Sequence, residues 1–257
     1  MIIYKSREEI ETMDRCNRVV AQILAELKGQ VEPGVTTADL DRLAESMCKD
    51  AGVRPAFKGY RGYPCVLCTS VNEEVVHGIP SPKKVLKEGD IIGLDFGVVL
   101  DGYFGDAAVT VPVGRISREA RDLLNVTRES MHKGIQAARP GKRLSDISVA
   151  VQTHAESHGY AVVREFVGHG IGTSLHEDPQ VPNYGHPGSG PVLKEGLVLA
   201  IEPMVNVGGP AVRIHSDGWT ASTIDGSLSA HFEHTVAVGR SGPEILSAIE
   251  DDSKGRD

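Results

Sequence analysis

The sequence has no apolar run able to cross a bilayer: uncharged apolar stretches such as Gly196 to Ile201 last a few residues, where a span needs roughly 20. It also lacks the pattern of a secretory leader, because Met1 to Glu9 includes Glu8 and Glu9 and offers neither an apolar core nor a small-residue cleavage site. A cytoplasmic location with no membrane partner is expected. Cysteine is scarce, and two of the four, Cys16 and Cys48, fall inside helical patterns, which argues against a disulfide framework. Cys65 and Cys68 do form a Cys-x-x-Cys, but in an apolar strand-like run with no helix after it and no second pair, so reduced thiols are expected rather than a redox or zinc pair. Positive charge is in deficit too: 27 Lys and Arg against 35 Asp and Glu give a formal charge of −8, a poor match to phosphate backbones, and no specific nucleic-acid partner is expected.

What the 257 residues do contain is enough apolar material, 40%, to bury a substantial core, and an internal repeat. At an offset of 107 residues Pro33-Gly34 recurs as Pro140-Gly141, Asp39-Leu40 as Asp146-Ile147 and Gly52 as Gly159. Val85-Leu86-Lys87-Glu88-Gly89 recurs unchanged as Val192-Leu193-Lys194-Glu195-Gly196. Collinear matches at one offset imply two similar halves, about 1–113 and 114–245, of one domain. Each half reads as helix, Pro-Gly turn, helix, then strands. Ser6 with Glu9 is a capping box before Ile10, Met13, Val20, Ile23, Leu24 and Leu27 at helical spacing. A second helix is predicted over Asp39 to Ala51, and a second pair over Ser117 to Ala138 and Ser145 to His158. Strands are predicted at 65–71, 90–99, 107–113, 197–201 and 232–238. The expected architecture is α+β, a curved, mainly antiparallel sheet with two helix pairs on one face and a pseudo-twofold axis. The stretch 246–257, with no apolar residue from Glu250 onward, is expected to be a disordered tail.

The offset carries Asp95 onto Glu202, each six residues after its Lys-Glu-Gly and each ending an apolar run. Such acids either begin a loop and face water or need a partner, since burying them unpaired is costly. Asp101-Gly102 has the form of a two-residue hairpin turn, which puts position 95 opposite 108 and leaves Asp106 on the same sheet face. Two carboxylates that close repel, and a cation resolves the repulsion. His169, flanked by Gly168 and Gly170, reads as an accessible loop imidazole, and Glu233 lies within the apolar strand 232–238. Four carboxylates and one imidazole form an oxygen-rich set able to hold two divalent ions.

These residues resemble those of the methionine aminopeptidases of the pita-bread (creatinase/aminopeptidase) fold. The resemblance runs from the first helix to Val238 and rests on Asn72-Glu-Glu-Val-Val-His77-Gly-Ile-Pro80, Asp95-Phe-Gly with Asp106, Gly168-His169-Gly-Ile-Gly172, Leu175-His176-Glu-Asp-Pro179, Ile201-Glu202-Pro203 and Ser229-Ala-His-Phe-Glu233-His-Thr235. It implies that Asp106 and Glu233 bridge two metals (cobalt, manganese, iron or zinc), that Asp95 completes one site, and that His169 with Glu202 completes the other. By the same resemblance His176 contacts the scissile amide or its oxyanion and His77 the second residue, while Tyr60, Tyr63, Cys68, Phe166 and Trp219 form the methionine pocket. Phe57 departs from the pattern, standing where bacterial relatives commonly carry cysteine; it either narrows the entrance or turns into the sheet core. The 31-residue spacing from Glu202 to Glu233 leaves no room for the insertion of the second eukaryotic type, so the short bacterial kind is implied. The implied substrates are nascent polypeptide N-termini after deformylation, with small second residues, handled by a monomer that associates with the ribosome. Two rivals share the fold: a prolidase or aminopeptidase P, which usually carries an additional N-terminal domain, and a non-catalytic binding protein, which tends to lose metal ligands.

Overall fold

The computed structural model describes residues 1–248. Helix α1 (Arg7–Gly29) starts as expected, with Ser6 Oγ accepting from the Glu9 amide and the Glu9 carboxylate from the Ser6 amide. Helix α2 (Thr37–Asp50) begins two residues before the predicted Asp39, because Thr36 is the cap and Asp39 is its reciprocal partner inside the first turn. Helices α3 (Arg118–Ala137) and α4 (Leu144–Ser157) form the second pair.

The repeat is written into the hydrogen bonds. Thr36 bridges to Val85 as Arg143 bridges to Val192, and the Gly34 amide donates to Leu86 O at 2.8 Å as the Gly141 amide donates to Leu193 O at 2.9 Å. Asp39 accepts from the Thr36 amide at 2.9 Å, and Asp146 from the Arg143 amide at 2.8 Å. Each Pro-Gly turn is therefore clamped onto its Lys-Glu-Gly segment by the same bonds.

Nine strands make one curved antiparallel sheet, in the order Arg54–Pro55, Ile91–Leu100, Tyr103–Pro112, Glu233–Gly239, Val198–Ile201, Gly168–Gly170, Glu177–Val181. Leu67–Val71 also pairs with Ile91–Leu100, and Gly242–Ile245 with Glu233–Gly239. Alternation along the strands decides the two faces. Ile92, Leu94, Phe96 and Val98 pack with Val20, Leu24, Leu27 and Leu40 of α1 and α2. Leu199, Ile201, Val236 and Val238 pack with Leu123, Met131, Ile147 and Val151 of α3 and α4. Each such buried side chain contributes about 2 kcal/mol, enough together to hold both helix pairs on one face. The residues between them, Asp95, Asp106 and Glu233, are thereby turned to the other.

The seam between the halves is short. Glu233–Gly239 pairs with Tyr103–Pro112 only at Glu233↔Ala108 and His234↔Ala107. Beyond that, the Asp106 amide donates to Asn17 Oδ1 of α1 at 3.3 Å, and the Asp106 carbonyl accepts from Thr235 Oγ1 at 2.7 Å. Two further expectations change. Leu246 is 6% exposed in the core and Ser247 is fully buried, its hydroxyl accepting from the Thr235 amide at 3.0 Å, so the packed chain continues past the expected boundary at 245. The expected disorder from Glu250 onward lies outside the described residues. His169 lies not in a loop but in the strand Gly168–Gly170, paired with Ala200 on one side and Gln180 on the other. Glycine is required around it, because a Cβ at Gly168 would lie 2.3 Å from Ala200 O and one at Gly170 2.2 Å from Asp178 O.

Candidate metal centre

The hairpin places the first two acids. Asp101 and Gly102 have φ of 50° and 82°, the positive values of a type I′ turn, and the register from Leu100↔Tyr103 runs unbroken to Asp95↔Ala108. Ala108 also pairs with Glu233, so one small side chain separates Asp95 from Glu233 and leaves room between them for carboxylates. Glu202 follows Ile201, whose partner is His234, and so comes across from Glu233. Asp106, His169 and Glu233 each offer a donor atom within 4.8 Å of the others. His169 Nε2 is 3.4 Å from Glu202 Oε1.

This cluster is electrostatically unfavourable by itself. Burial pushes Asp95 up to about 6. It raises Asp106, Glu202 and Glu233 well above the ordinary carboxyl range, and the neighbouring negative charges add to each rise. The same burial holds His169 down near 3, neutral at any physiological pH. Its Nδ1 lies 3.0 Å from Gly170 O, an acceptor only, so Nδ1 carries the proton and Nε2 presents a lone pair to the carboxylates. Asp106 Oδ1, Glu233 Oε1 and His231 Nε2 are buried without a hydrogen-bond partner. Orphaned carboxylate oxygens such as those of Asp106 and Glu233 are costly, and divalent cations with oxygen and imidazole ligands answer that deficit, so the residues fit a metal centre.

Above the acids lies a cavity of about 150 Å³, walled by Phe57, Tyr63, Cys68, His77 and Trp219 and by Tyr60 and His176. A larger cleft of about 520 Å³ lies on the helix side beside Arg121 and Arg128, but it does not gather the acid and imidazole set. Tyr63 is edge-on to Trp219 at 5.1 Å, and its hydroxyl is anchored on the carbonyls of Leu67 and Gly78 at 3.0 and 3.1 Å. Cys68 pairs with Asp95, and burial drives its thiol well upward, so it is an apolar wall atom and not a thiolate. All four cysteines are free thiols. His77 takes a left-handed backbone, φ 61°, uncommon outside glycine, and is held edge-on between Phe166 at 5.3 Å and Trp219 at 6.2 Å. Burial lowers its pKa to about 4.

His176 is exposed at the mouth, 2.8 Å from Tyr60 OH through Nδ1, with its ring 4.2 Å from that of His169. Phe57 serves both of its expected positions, lining the cavity while packed in the core at 8% exposure. Phe166 is the one expected pocket residue placed elsewhere: it stands behind His77, packed with the cluster around Val163 and Met204. Sequence reasoning missed Arg61, whose charge helps burial lower His176, and Leu175 on the wall. It also missed His231, whose Nε2 lies 3.5 Å from Glu202 Oε2. The signal for His231 was available, since residues two apart in an extended chain share a face and Glu233 is two residues on.

The metallopeptidase family M24 matches residues 11–240 of the chain. A methionine aminopeptidase of Clostridium acetobutylicum is 56% identical over 97% of this chain and 100% of its own length. The crystal structure of methionine aminopeptidase from Thermotoga maritima superposes with a TM-score of 0.95 at 50% identity, covering 96% of this chain and 99% of that one. A prolidase from Pyrococcus horikoshii shares the fold at TM-score 0.78 and 22% identity, and 64% of its length is covered. The prolidase likeness establishes architecture only, whereas the first two relatives match end to end at half or more of their positions: the chain belongs to metallopeptidase family M24 and, within it, to the methionine aminopeptidases.

Proposed function

We propose that this protein hydrolyses the first peptide bond of polypeptides that begin with methionine, using two divalent cations held by Asp95, Asp106, His169, Glu202 and Glu233. The observation that carries the reading is the position of these five residues at the floor of a cavity of about 150 Å³ whose walls are aromatic. A space of that volume has room for about one benzene-sized group, so beside the acids its aromatic walls suit one side chain and not a length of peptide. A flexible, polarisable thioether suits contact with the ring edges of Tyr60, Tyr63 and Trp219. Asp106 and Glu233, on facing strands at the seam, would be shared between the two cations, with Asp95 completing one set of ligands and His169 with Glu202 the other.

When bound, the cations lower the pKa of a shared water and polarise the scissile carbonyl. The chain supplies the rest. In this reading the Tyr60 hydroxyl, 2.8 Å from His176 Nδ1, is the donor, so that Nε2 carries the proton for the oxygen that becomes negative as the carbonyl is attacked. The carboxylates receive the free amine of the substrate, so a formylated N-terminus is refused until a deformylase has acted. His77, fixed by Phe166 and Trp219, crowds the second residue and favours small side chains there. Both halves contribute ligands, so the two act as one catalytic domain.

Cobalt, manganese, iron and zinc all suit an oxygen-rich site with imidazole. A monomer working in the cytoplasm on chains leaving the ribosome is part of the proposal. The described residues include no helix long and apolar enough to cross a membrane. The test is methionine release from Met-Ala-Ser beside an Ala-Pro peptide, with chelator and after adding back each of the four ions. Methionine release that chelator stops and an ion restores is the expected result. Silence with every ion, or preference for Ala-Pro, overturns the proposal.

A further inference from the structure

We infer that His231 is a positioning residue for Glu202: its Nε2–H donates to one carboxylate oxygen so that the other is held toward His169. The inference rests on the reading of Glu202 as a cation ligand. His231 ends the short strand Ser229–His231 and is 3% exposed. Its backbone is locked on both sides by a single residue: the His231 amide donates to Thr110 Oγ1 at 2.9 Å, and Thr110 Oγ1 donates to His231 O at 2.8 Å. The paired strand sets Met204 opposite His231, and Glu202 is two residues upstream of Met204, so the imidazole is brought to the carboxylate by register.

Glu202 is thereby placed between two imidazoles, Oε1 at 3.4 Å from His169 Nε2 and Oε2 at 3.5 Å from His231 Nε2. The two contacts differ in kind. His169 gives its Nδ1 proton to Gly170 O and can present only a lone pair, so at Oε1 two acceptors face each other and a cation between them satisfies both. No cation demand is needed at Oε2. His231 Nε2 is buried without a formed hydrogen bond, Glu202 Oε2 stands 3.5 Å from it, and a carboxylate kept ionised by a bound cation can only accept. A lone pair at that place would repel Oε2, whereas an N–H satisfies both groups. The two imidazoles therefore hold opposite tautomers about one carboxylate, and His231 fixes which oxygen is left for the metal. The competing assignment is that His231 is itself a ligand, since Glu202, His231 and Glu233 also offer donor atoms within 4.8 Å of one another.

The experiment compares metal-free wild type, His231→Gln and His231→Ala by calorimetric titration with Mn²⁺, with the visible spectrum of the Co²⁺-loaded proteins recorded alongside. Glutamine retains a donating N–H of similar reach; alanine does not. Loss of the donor is expected to weaken one of the two binding events by about 10- to 100-fold, while the glutamine variant stays within about threefold of wild type. The Co²⁺ bands of the glutamine variant should match wild type, because the ligand set is unchanged. Nitrogen-15 NMR of the zinc-loaded wild type gives an answer that needs no folded alanine variant: His231 Nε2 should carry a proton. Unchanged affinity in the alanine variant, altered Co²⁺ bands with lost affinity in the glutamine variant, or an unprotonated Nε2 overturns the inference. Failure of wild type to bind any cation overturns the reading of Glu202 beneath it, which is a different result.

Discussion

The two halves share a frame and differ in what they hang on it. In the first, Asp95 and Asp106 stand on ten-residue strands joined by the two-residue turn Asp101-Gly102. In the second, Glu202 and Glu233 are separated by an excursion containing Met204–Asn206, Val212–Ile214, Ala221–Thr223 and Ser229–His231. Counting along the ladders, two residues before Asp95 is Gly93, paired with Ser70; two before Glu202 is Ala200, paired with His169. The serine of one half is the imidazole of the other. The offset of 107 relates Asp95 to Glu202, whereas Asp106, Glu233, the nitrogen ligand His169, Trp219 and His231 all lie at positions that do not follow it. Duplication thus accounts for one pair of acids on the metal floor, and divergence accounts for the rest of the floor and for the walls.

Breaking the shared floor should have the largest effect. Asp106→Asn removes a charge from the place where the halves meet, and turnover should fall by more than about 1000-fold, beyond the cost of losing one oxyanion donor. Metal analysis of the same protein should find less than the wild-type content; two tightly held ions and normal turnover would sink the bridging role. A residue of the divergent wall behaves differently. His176→Ala should lower kcat by about 100-fold while leaving Mn²⁺ affinity unchanged, and a large loss of affinity would make His176 a ligand instead.

The cost of gathering four acids should appear as a pH dependence of the metal-free protein. Asp95 is raised from 3.8 to about 6, and Asp106, Glu202 and Glu233 are raised well above the ordinary carboxyl range. A folded-state pKa above the unfolded value means that the folded protein binds more protons, so stability is greatest below the unfolded pKa and falls as pH rises through the folded one. For Asp95 that window runs from about 4 to 6. Metal-free protein should therefore melt on the order of 5 °C lower at pH 7.5 than at pH 5, and saturating Mn²⁺ should remove the difference. Equal melting temperatures with chelator at both pH values would count against the buried acid cluster. The smallest effect is expected on the wall: Phe57→Cys should raise Met-Val relative to Met-Ala efficiency by a few fold, about 1 kcal/mol of lost crowding. An unchanged ratio with reduced thermal stability would assign Phe57 to the core alone.

The first half was the more legible from sequence because its geometry is local. Asp-Gly demands positive φ at two residues, and alternation then carries the register from the turn to Asp95 and Asp106 without long-range information. The repeat extended this to Glu202. What sequence could not give was pairing set by distant chain. Gly168-His169-Gly170 has poor strand propensity and was expected as a loop, yet it forms a strand because its glycines let Ala200 and Asp178 approach closely. Leu246 and Ser247, expected in the tail, are ordered by Thr235, which no local pattern announces.

The short seam has a dynamic consequence. Backbone pairing between the central strands of the two halves is confined to Glu233↔Ala108 and His234↔Ala107, with the Thr235 hydroxyl on the Asp106 carbonyl and the Asp106 amide handed to Asn17. A cation shared by Asp106 and Glu233 would clasp that narrow junction from one side, while α1 braces it from the other through Asn17. Amide hydrogen exchange at residues 106–108 and 233–235 should then report occupancy of the centre directly, slowing when the metal binds and quickening when it leaves, even where the helices of both halves exchange at an unchanged rate.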